Sequence, residues 1–456
     1  MTTERYRGDF PALRTAPGRT VPVYLDSACM SLVPSPVLRA MESYYQDFPG
    51  CAGRSLHRFA EEVGRRYEGA RTAYADWLGR GDASGIVFVR NATEALNLVA
   101  QGLSYERGDR VLVTDREHNS NLIVWQRLAA ERGIRLEALE LPDDRAFDGD
   151  AFEERLAGGV RLVSFFHTSN LDGRTLPIRE ITERAHDRGA LVLFDGCQAA
   201  PHLKVDLDAW GVDFYAVSAH KMLGPTGTGV LAAAPGPIAE LRPLLVGGET
   251  VEWSTLTAHQ LRPPPHRFEA GLQNYAGVIG AHAALEYLSR VGPAAIAEHQ
   301  ESLNRRISRA LEDEPRLHRL GPADPAERPS IFAFTLDGID PHDAALFLDE
   351  GHHVMVRSGM HCVHSWYERH GIPGNVRASL YLYNDVRDAD AFVAGVRELL
   401  ERIPGPTGTS AATPARAARR GRGPRRAAGS NAAAARSARP PRRAGRGRAG
   451  SAAGSG

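Results

Sequence analysis

The run Leu191–Asp195 (Leu-Val-Leu-Phe-Asp) is apolar at every position before its final acid. This composition is typical of a strand in a parallel sheet that helices cover on both faces, because neither side of such a strand meets water. Five other β-rich runs alternate with helical patterns on either side of it: residues 86–89, 110–114, 161–167, 213–218 and 230–233. The alternation predicts an α/β domain with a mostly parallel sheet.

In open sheets of this kind, ligands bind beyond the carboxyl ends of the strands. Polar residues that directly follow the predicted strands are therefore the first candidates for chemistry. These candidates are Asn91 and the segments 115–121, 167–170, 195–198 and 218–221.

A proline-rich segment at 262–266 ends the alternation. Helical periodicity follows it, and then come a strand-like run at 331–336 and helical patterns at 342–350 and 388–403. This order predicts a smaller α+β domain packed on the first. The predicted organisation is an N-terminal segment at 1–20, a large α/β domain at 21–265, a smaller C-terminal domain at 266–404 and a tail at 405–456.

The formal net charge of zero hides a strongly basic tail. Residues 405–456 hold 12 arginines and no acid, which leaves 43 of the 55 basic residues against 55 acidic ones in the rest of the chain. The tail consists mainly of Ala, Gly, Arg, Pro and Ser without periodicity, so it cannot bury enough apolar surface to fold and is predicted to be disordered. It could contact nucleic acid or an acidic partner, or be an extension without function.

Apolar stretches are too short for a membrane span, which needs about 18 to 20 residues, and residues 1–19 have no apolar signal-peptide core. A cytoplasmic protein is the expectation.

The four cysteines lie far apart without a C-x-x-C spacing: Cys29, Cys51, Cys197 and Cys362. This arrangement argues against a zinc knuckle and against a disulfide framework, and we expect no metal site.

Lysine is almost excluded from the chain: of the 55 basic residues, only Lys204 and Lys221 are not arginine. A guanidinium group does not deprotonate and cannot form an imine with an aldehyde, so a retained lysine is a candidate for work that only a primary amine can do. Lys221 follows the predicted strand at 213–218 and precedes a Gly/Pro turn, whereas Lys204 is predicted to lie on a surface loop. Lys221 is therefore the candidate Schiff-base residue for pyridoxal phosphate (PLP).

A PLP site also needs a carboxylate that faces the pyridine nitrogen, because the carboxylate keeps the nitrogen protonated and the ring an electron sink. Asp195 ends an all-apolar strand, where a carboxylate is costly to bury without a cation, although it could merely cap the next turn. A helix predicted to begin at 91–94 offers amides to a phosphate, although such a segment is structural in most proteins. The phosphate candidates are Ala92, Thr93, Ser218 and His220.

Four motifs occur in order along the chain: residues 195–200 (Asp-Gly-Cys-Gln-Ala-Ala), 218–221 (Ser-Ala-His-Lys), 267–271 (Arg-Phe-Glu-Ala-Gly) and 357–362 (Arg-Ser-Gly-Met-His-Cys). Together they resemble the class V aminotransferase superfamily, and within it the group II cysteine desulfurases, which include selenocysteine lyases. The resemblance spans about residues 23–403. It implies the PLP-dependent fold type I, with a mostly parallel seven-stranded sheet, a smaller domain that carries the cysteine loop, and a homodimer.

The resemblance also implies roles for individual residues. Lys221 would carry the cofactor, Asp195 would pair with the pyridine nitrogen and Gln198 would bond the phenolic oxygen of the ring. His118, in the segment 117–121, would stack on the ring and relay protons. An arginine suits the substrate carboxylate because its guanidinium binds in a bidentate manner. The implied substrate residues are Arg377, Asn170, Arg357 and Arg54.

Cys362 lies in a glycine-containing loop after the extended run at 354–357, with His361, His364 and Arg357 nearby. Cationic neighbours would favour its thiolate, which is the attacking species. The resemblance implies that Cys362 attacks the sulfur of L-cysteine, so that alanine leaves and a persulfide remains. An acceptor protein would then receive the sulfur, with iron-sulfur cluster assembly as one use. The alternative for a single cysteine is a packing role.

Two positions depart from the pattern of the resembling enzymes: Met360 stands where they usually have His, and Leu272 where they usually have a Thr that offers a hydroxyl to the partner subunit's phosphate. Two other functions stay open on the sequence. One is a different class V PLP enzyme, such as a selenocysteine lyase, C-S lyase, epimerase or aminotransferase, in which Cys362 is incidental. The other is a non-catalytic scaffold with a nucleic-acid-binding tail.

Overall fold

The computed structural model describes residues 4–14, 20–53, 55–142 and 147–403. The predicted tail at 405–456 and the predicted substrate residue Arg54 lie outside these residues. Within the described ranges, no helix combines the length and the apolar character that crossing a bilayer demands.

Helices and strands alternate through the first half of the described residues and are mixed in the second. The α-helices are α1 Glu4–Arg7, α2 Ser35–Asp47, α3 Arg58–Leu78, α4 Ala92–Gly102, α5 Asn119–Arg132, α6 Gly149–Leu156, α7 Ile178–Asp187, α8 Pro235–Glu240, α9 Tyr275–Val291, α10 Pro293–Ala310, α11 Pro341–His352, α12 His364–His370 and α13 Val386–Arg402. The β-strands are β1 Val23–Tyr24, β2 Ile86–Val89, β3 Arg110–Thr114, β4 Arg135–Leu139, β5 Leu162–Phe166, β6 Leu191–Asp195, β7 Phe214–Ser218, β8 Gly229–Ala233, β9 Val251–Ser254, β10 His259–Leu261, β11 Leu317–Leu320, β12 Ile331–Leu336, β13 Val354–Met355, β14 Arg357–Gly359 and β15 Asn375–Ser379.

A seven-stranded sheet has the strand order β2-β8-β7-β6-β5-β3-β4. Its neighbouring strands are parallel except for β8, which runs antiparallel to both β2 and β7. The predicted α/β class with a mostly parallel sheet is thereby confirmed. All six runs predicted from the sequence are strands of this sheet, and the seventh strand, β4, lies at its edge.

Alternate side chains of a central strand enter two separate hydrophobic clusters. In β6, Val192 and Phe194 belong to one cluster and Leu193 belongs to the other. Since successive side chains of a strand point to opposite faces of a sheet, both faces of β6 are covered. All three side chains are fully buried, which explains why this strand is apolar up to its final residue, Asp195.

A second, antiparallel sheet has the strand order β11-β12-β15-β14. Helices α10, α11 and α13 contribute Leu303, Leu348 and Phe392 to the cluster that packs with it. Strand β1, near the N-terminus, pairs in parallel with β13, so residues 23–24 contact the C-terminal part of the chain. The domain boundary at residue 265 stays a prediction.

Candidate active site

A cavity of about 150 Å³ opens at the carboxyl ends of the central strands. Nine of the predicted site residues line it: Ala92, Thr93, His118, Asn170, Asp195, Gln198, Ser218, His220 and Lys221. Four residues to which the sequence analysis assigned no role also line it: Ser120, Phe166, Thr168 and Cys197. Arg357, Arg377 and Cys362 lie outside this lining group, and their positions are described below.

Lys221 lies in a single 3-10 turn, Ala219–Lys221, that directly follows β7. The turn is fixed from both sides. The backbone N–H of Ala219 donates to the carbonyl of Thr228 (3.0 Å), and the N–H of Ser31 donates to the carbonyl of His220 (2.8 Å). The second lysine, Lys204, lines a different groove, so Lys221 is the only primary amine of the cavity lining.

Asp195 ends β6 and is only 8% exposed. One carboxylate oxygen, Oδ1, accepts the backbone N–H of Cys197 (3.0 Å). No guanidinium or ammonium group of the described residues forms an ion pair with this carboxylate. A buried carboxylate without a cation is costly, so the position fits a ligand that brings a positive charge of its own.

His118 caps the first turn of α5, because its Nδ1 accepts the backbone N–H of Ser120 (3.1 Å). In the neutral ring the proton therefore sits on Nε2. Burial, together with the nearby ammonium of Lys221, lowers the pKa of His118 to about 4. The imidazole is thus neutral near pH 7 and can pack against a flat ring without a charge of its own.

Gln198 and the start of α4 supply further hydrogen-bonding groups. The side-chain nitrogen of Gln198 donates one hydrogen to the carbonyl of Ala28 (2.7 Å), which leaves its second N–H and its oxygen for a ligand. The N–H of Ala92 donates to Ser218 Oγ (2.9 Å). Only glycine fits at Gly229 beside this helix start, because a Cβ there would lie 2.7 Å from the Cα of Asn91.

Arg377 on β15 is buried and is held by two groups from distant parts of the chain. Its Nη1 donates to the carbonyl of Asn170 (2.7 Å), and its Nη2 lies 3.4 Å from Asp26 Oδ1. Its Nε has no partner among the described residues. Burial lowers the pKa of Arg377 and the carboxylate of Asp26 opposes that shift, so this guanidinium remains a cation that can bind an anionic group.

The loop that carries Cys362 is tied to two sides of the cavity. The backbone N–H of Asn119 donates to the carbonyl of Cys362 (2.7 Å), and the side-chain amide of Asn170 donates to the carbonyl of His361 (2.7 Å). Both loop residues have positive φ angles, 47° at His361 and 62° at Cys362, which are unfavourable for residues other than glycine. The contacts therefore hold a strained loop, with a half-buried thiol, beside the cavity.

The predicted cationic setting of Cys362 is wrong in one respect. Burial and the nearby guanidinium of Arg377 lower the pKa of His361 to about 2, so its ring is neutral. A neutral imidazole next to Cys362 cannot stabilise the thiolate by charge. Arg357 donates a hydrogen bond to the Sγ of Cys29, a residue that the sequence analysis left without a role.

A buried carboxylate that the sequence analysis did not single out lies next to His118. Glu117 is fully buried, and it accepts hydrogen bonds from Thr114 Oγ1 (2.8 Å), Asn121 Nδ2 (2.8 Å) and the N–H of Phe166 (3.0 Å). These bonds connect the first turn of α5 to the ends of β3 and β5. Burial outweighs them and raises the pKa of Glu117 to about 8.

Glu117→Gln is expected to change how stability depends on pH. Between the ordinary pKa of 4.5 and the raised pKa of about 8, the folded protein holds a proton that the unfolded chain has lost, so wild-type stability falls as pH rises through this window. The variant lacks this loss, which is about 1.4 kcal/mol for each unit of pKa shift. Its free energy of unfolding relative to wild type should rise from about pH 5 to about pH 9 in denaturant titrations. A constant difference would contradict the raised pKa.

Known proteins resemble this chain over most of its length. The family model described as aminotransferase class-V matches residues 23–392. A probable cysteine desulfurase of Streptomyces coelicolor is 37% identical over 408 residues, which cover 88% of this chain and 97% of that protein. A cysteine desulfurase of Klebsiella pneumoniae is 36% identical over 403 residues, which cover 88% and 98% respectively.

Two solved structures have a similar fold. The apo structure of a cysteine desulfurase from Thermococcus onnurineus superimposes with a TM-score of 0.83 at 36% identity, covering 88% of this chain and 98% of that one. An Escherichia coli cysteine desulfurase in an S-sulfonic acid form gives a TM-score of 0.81 at 32% identity, covering 89% and 100%.

Proposed function

This chain belongs to the aminotransferase class-V family, and on that basis we propose that it is a PLP-dependent cysteine desulfurase. It converts L-cysteine to L-alanine and takes the sulfur on Cys362 as a persulfide. The proposal rests on one observation. Lys221, the only primary amine of the cavity lining, and Asp195, whose buried carboxylate has no cationic partner among the described residues, line the same cavity. The cysteine desulfurases among its relatives support the reaction.

The residues of the cavity fit PLP. The amine of Lys221 suits the aldehyde, and the buried carboxylate of Asp195 suits a protonated pyridine nitrogen. Gln198 has a free N–H for the phenolic oxygen. The first turn of α4 and the hydroxyl of Ser218 suit the phosphate, since helix N-termini and hydroxyls bind anions. When bound, PLP would supply an electron sink for the negative charge that develops at the substrate's Cα.

Four residues of the chain have separate roles in the proposed reaction. Arg377 binds the substrate carboxylate in a bidentate manner, and Asn170 holds both that arginine and the cysteine loop. The Nζ of Lys221 takes the proton from Cα. The Cys362 thiolate attacks the substrate's sulfur, so that an S–S bond forms while the bond between sulfur and Cβ breaks. Protonation of the remaining carbon skeleton gives alanine.

We infer that the active form is a homodimer and that a sulfur-acceptor protein removes the persulfide sulfur, with iron-sulfur cluster assembly as one destination. Exposed large hydrophobic side chains are frequent in residues 244–272, which supports a subunit contact in this region. These side chains are Leu244, Leu245, Val246, Trp253, Leu256 and Leu272.

The proposed function is tested by adding L-cysteine to the purified protein. We expect a yellow protein whose absorption spectrum shifts with L-cysteine, and alanine and sulfide in equal amounts when a reductant is present. A panel of other amino acids and of selenocysteine serves as the comparison. Faster turnover of an amino acid without sulfur or selenium would favour another class V PLP enzyme, and a colourless protein that does not take up PLP would contradict both.

A further inference from the structure

Two hydroxyl groups from different helices meet in the cavity. Thr93 lies in the first turn of α4, and Ser120 lies in the first turn of α5. Their oxygens are 2.8 Å apart, and both residues line the cavity. The contact joins the N-termini of two helices of 11 and 14 residues at one point, so both helix dipoles favour an anion there.

The cavity offers no permanent positive charge to a phosphate. Among the described residues that line it, only Lys221 carries an ammonium or guanidinium group, and the proposed function uses that amine for the aldehyde. Burial and the nearby Lys221 lower the pKa of His220 to about 4, so His220 is neutral near pH 7. Neutral hydrogen-bond donors must therefore hold the phosphate dianion, so the loss of any one donor should weaken its binding.

Several donors near this point already have partners. The N–H of Ala92, a predicted phosphate donor, is directed to Ser218 Oγ. The N–H of Ser120 is directed to His118 Nδ1. The hydroxyl is therefore the one hydrogen that Ser120 can still contribute. In a pair of hydroxyls, one hydrogen is used between the two oxygens and the other remains free for an anion.

We propose that Ser120 is a positioning residue for the phosphate of PLP: its hydroxyl donates to Thr93 Oγ1, and the hydroxyl hydrogen of Thr93 is thereby directed to the phosphate. This inference rests on the proposed function. Donating to Thr93 polarises its O–H bond, which strengthens the hydrogen bond that Thr93 gives to the anion. Ser120 thus acts through Thr93, and its effect is confined to ligands that carry a phosphate.

The test compares PLP with pyridoxal, which has the same ring and aldehyde but no phosphate. Apoprotein is titrated with each compound, and binding is followed by the quenching of tryptophan fluorescence. Ser120→Ala should weaken PLP binding about 3- to 10-fold, as expected for one hydrogen bond, and leave pyridoxal binding unchanged. Ser120→Thr keeps a hydroxyl and should restore PLP binding. Ser289→Ala, an exposed serine of α9, is the matched control and should bind both compounds as wild type does.

A double variant tests whether Ser120 acts on the phosphate through Thr93. Thr93→Ala should weaken PLP binding more than Ser120→Ala does, and adding Ser120→Ala to it should cost little more. An unchanged PLP affinity in Ser120→Ala would overturn the inference, as would an equal loss for PLP and pyridoxal or a full additional loss in the double variant. Wild-type protein that binds neither compound would instead contradict the proposed function.

Discussion

Lys221→Arg is expected to abolish turnover of L-cysteine and to leave no cofactor that borohydride can fix to the protein. Arginine keeps the positive charge and much of the length of the side chain, but its guanidinium does not deprotonate and forms no imine. The same substitution removes the group that takes the proton from the substrate. We expect a fall in kcat/KM of at least about a thousandfold, since loss of the covalent attachment and loss of the proton acceptor both contribute.

The scarcity of lysine makes this experiment unusually clean. After borohydride reduction and proteolysis, a labelled lysine can lie in only two places, Lys204 or Lys221. Lys204→Arg is the matched control, because Lys204 lines a separate groove, and this variant should keep both the reducible imine and wild-type turnover. A reducible imine that persists in Lys221→Arg and disappears in Lys204→Arg would refute the assignment.

The sequence predicts six strands of the sheet, including the edge strand β2, but not the other edge strand, β4, and the reason is burial. Strands such as β5 are buried at every position, so apolar runs reveal them. β4 (Arg-Leu-Glu-Ala-Leu) lies at the edge of the sheet with only its last residue fully buried, and its charged residues hide it. The reversed direction of β8 leaves no trace in composition, because it too is buried on both faces.

The cavity shows a similar division. Asp195 ends one buried strand and Lys221 lies in the turn after the next, so their place at one edge of the sheet can be predicted from the chain alone. Contacts between segments that are distant in the sequence cannot be predicted in this way. Arg377 meets Asp26 across 351 positions, and the hydroxyls of Ser120 and Thr93 belong to two helices whose relative placement only the folded chain fixes. The neutral state of His361 likewise depends on burial that a loop sequence does not reveal.

Cys362→Ala is expected to stop the release of sulfur while the protein keeps its bound cofactor and its colour. The contact that holds this loop to α5 uses the carbonyl of residue 362, which alanine retains. The positive φ angle is no worse for alanine than for cysteine. The substitution therefore removes the nucleophile alone. Alanine formation, measured without added thiols, should fall at least about a thousandfold. The thiol of the cavity lining, Cys197, does not replace Cys362, because burial raises its pKa to about 12 and keeps it protonated.

Cys51→Ala is the control, since Cys51 is exposed and has no assigned role. It should turn over L-cysteine as wild type does. Mass spectrometry of wild type after one turnover should find the peptide with Cys362 heavier by one sulfur atom, and the variant peptide should not change. Cys362 lies outside the cavity lining, in a loop with positive φ angles, and we expect this loop to present its thiol to the substrate's sulfur. Wild-type alanine formation in Cys362→Ala would show that the loop is incidental and that the bond to sulfur breaks without it.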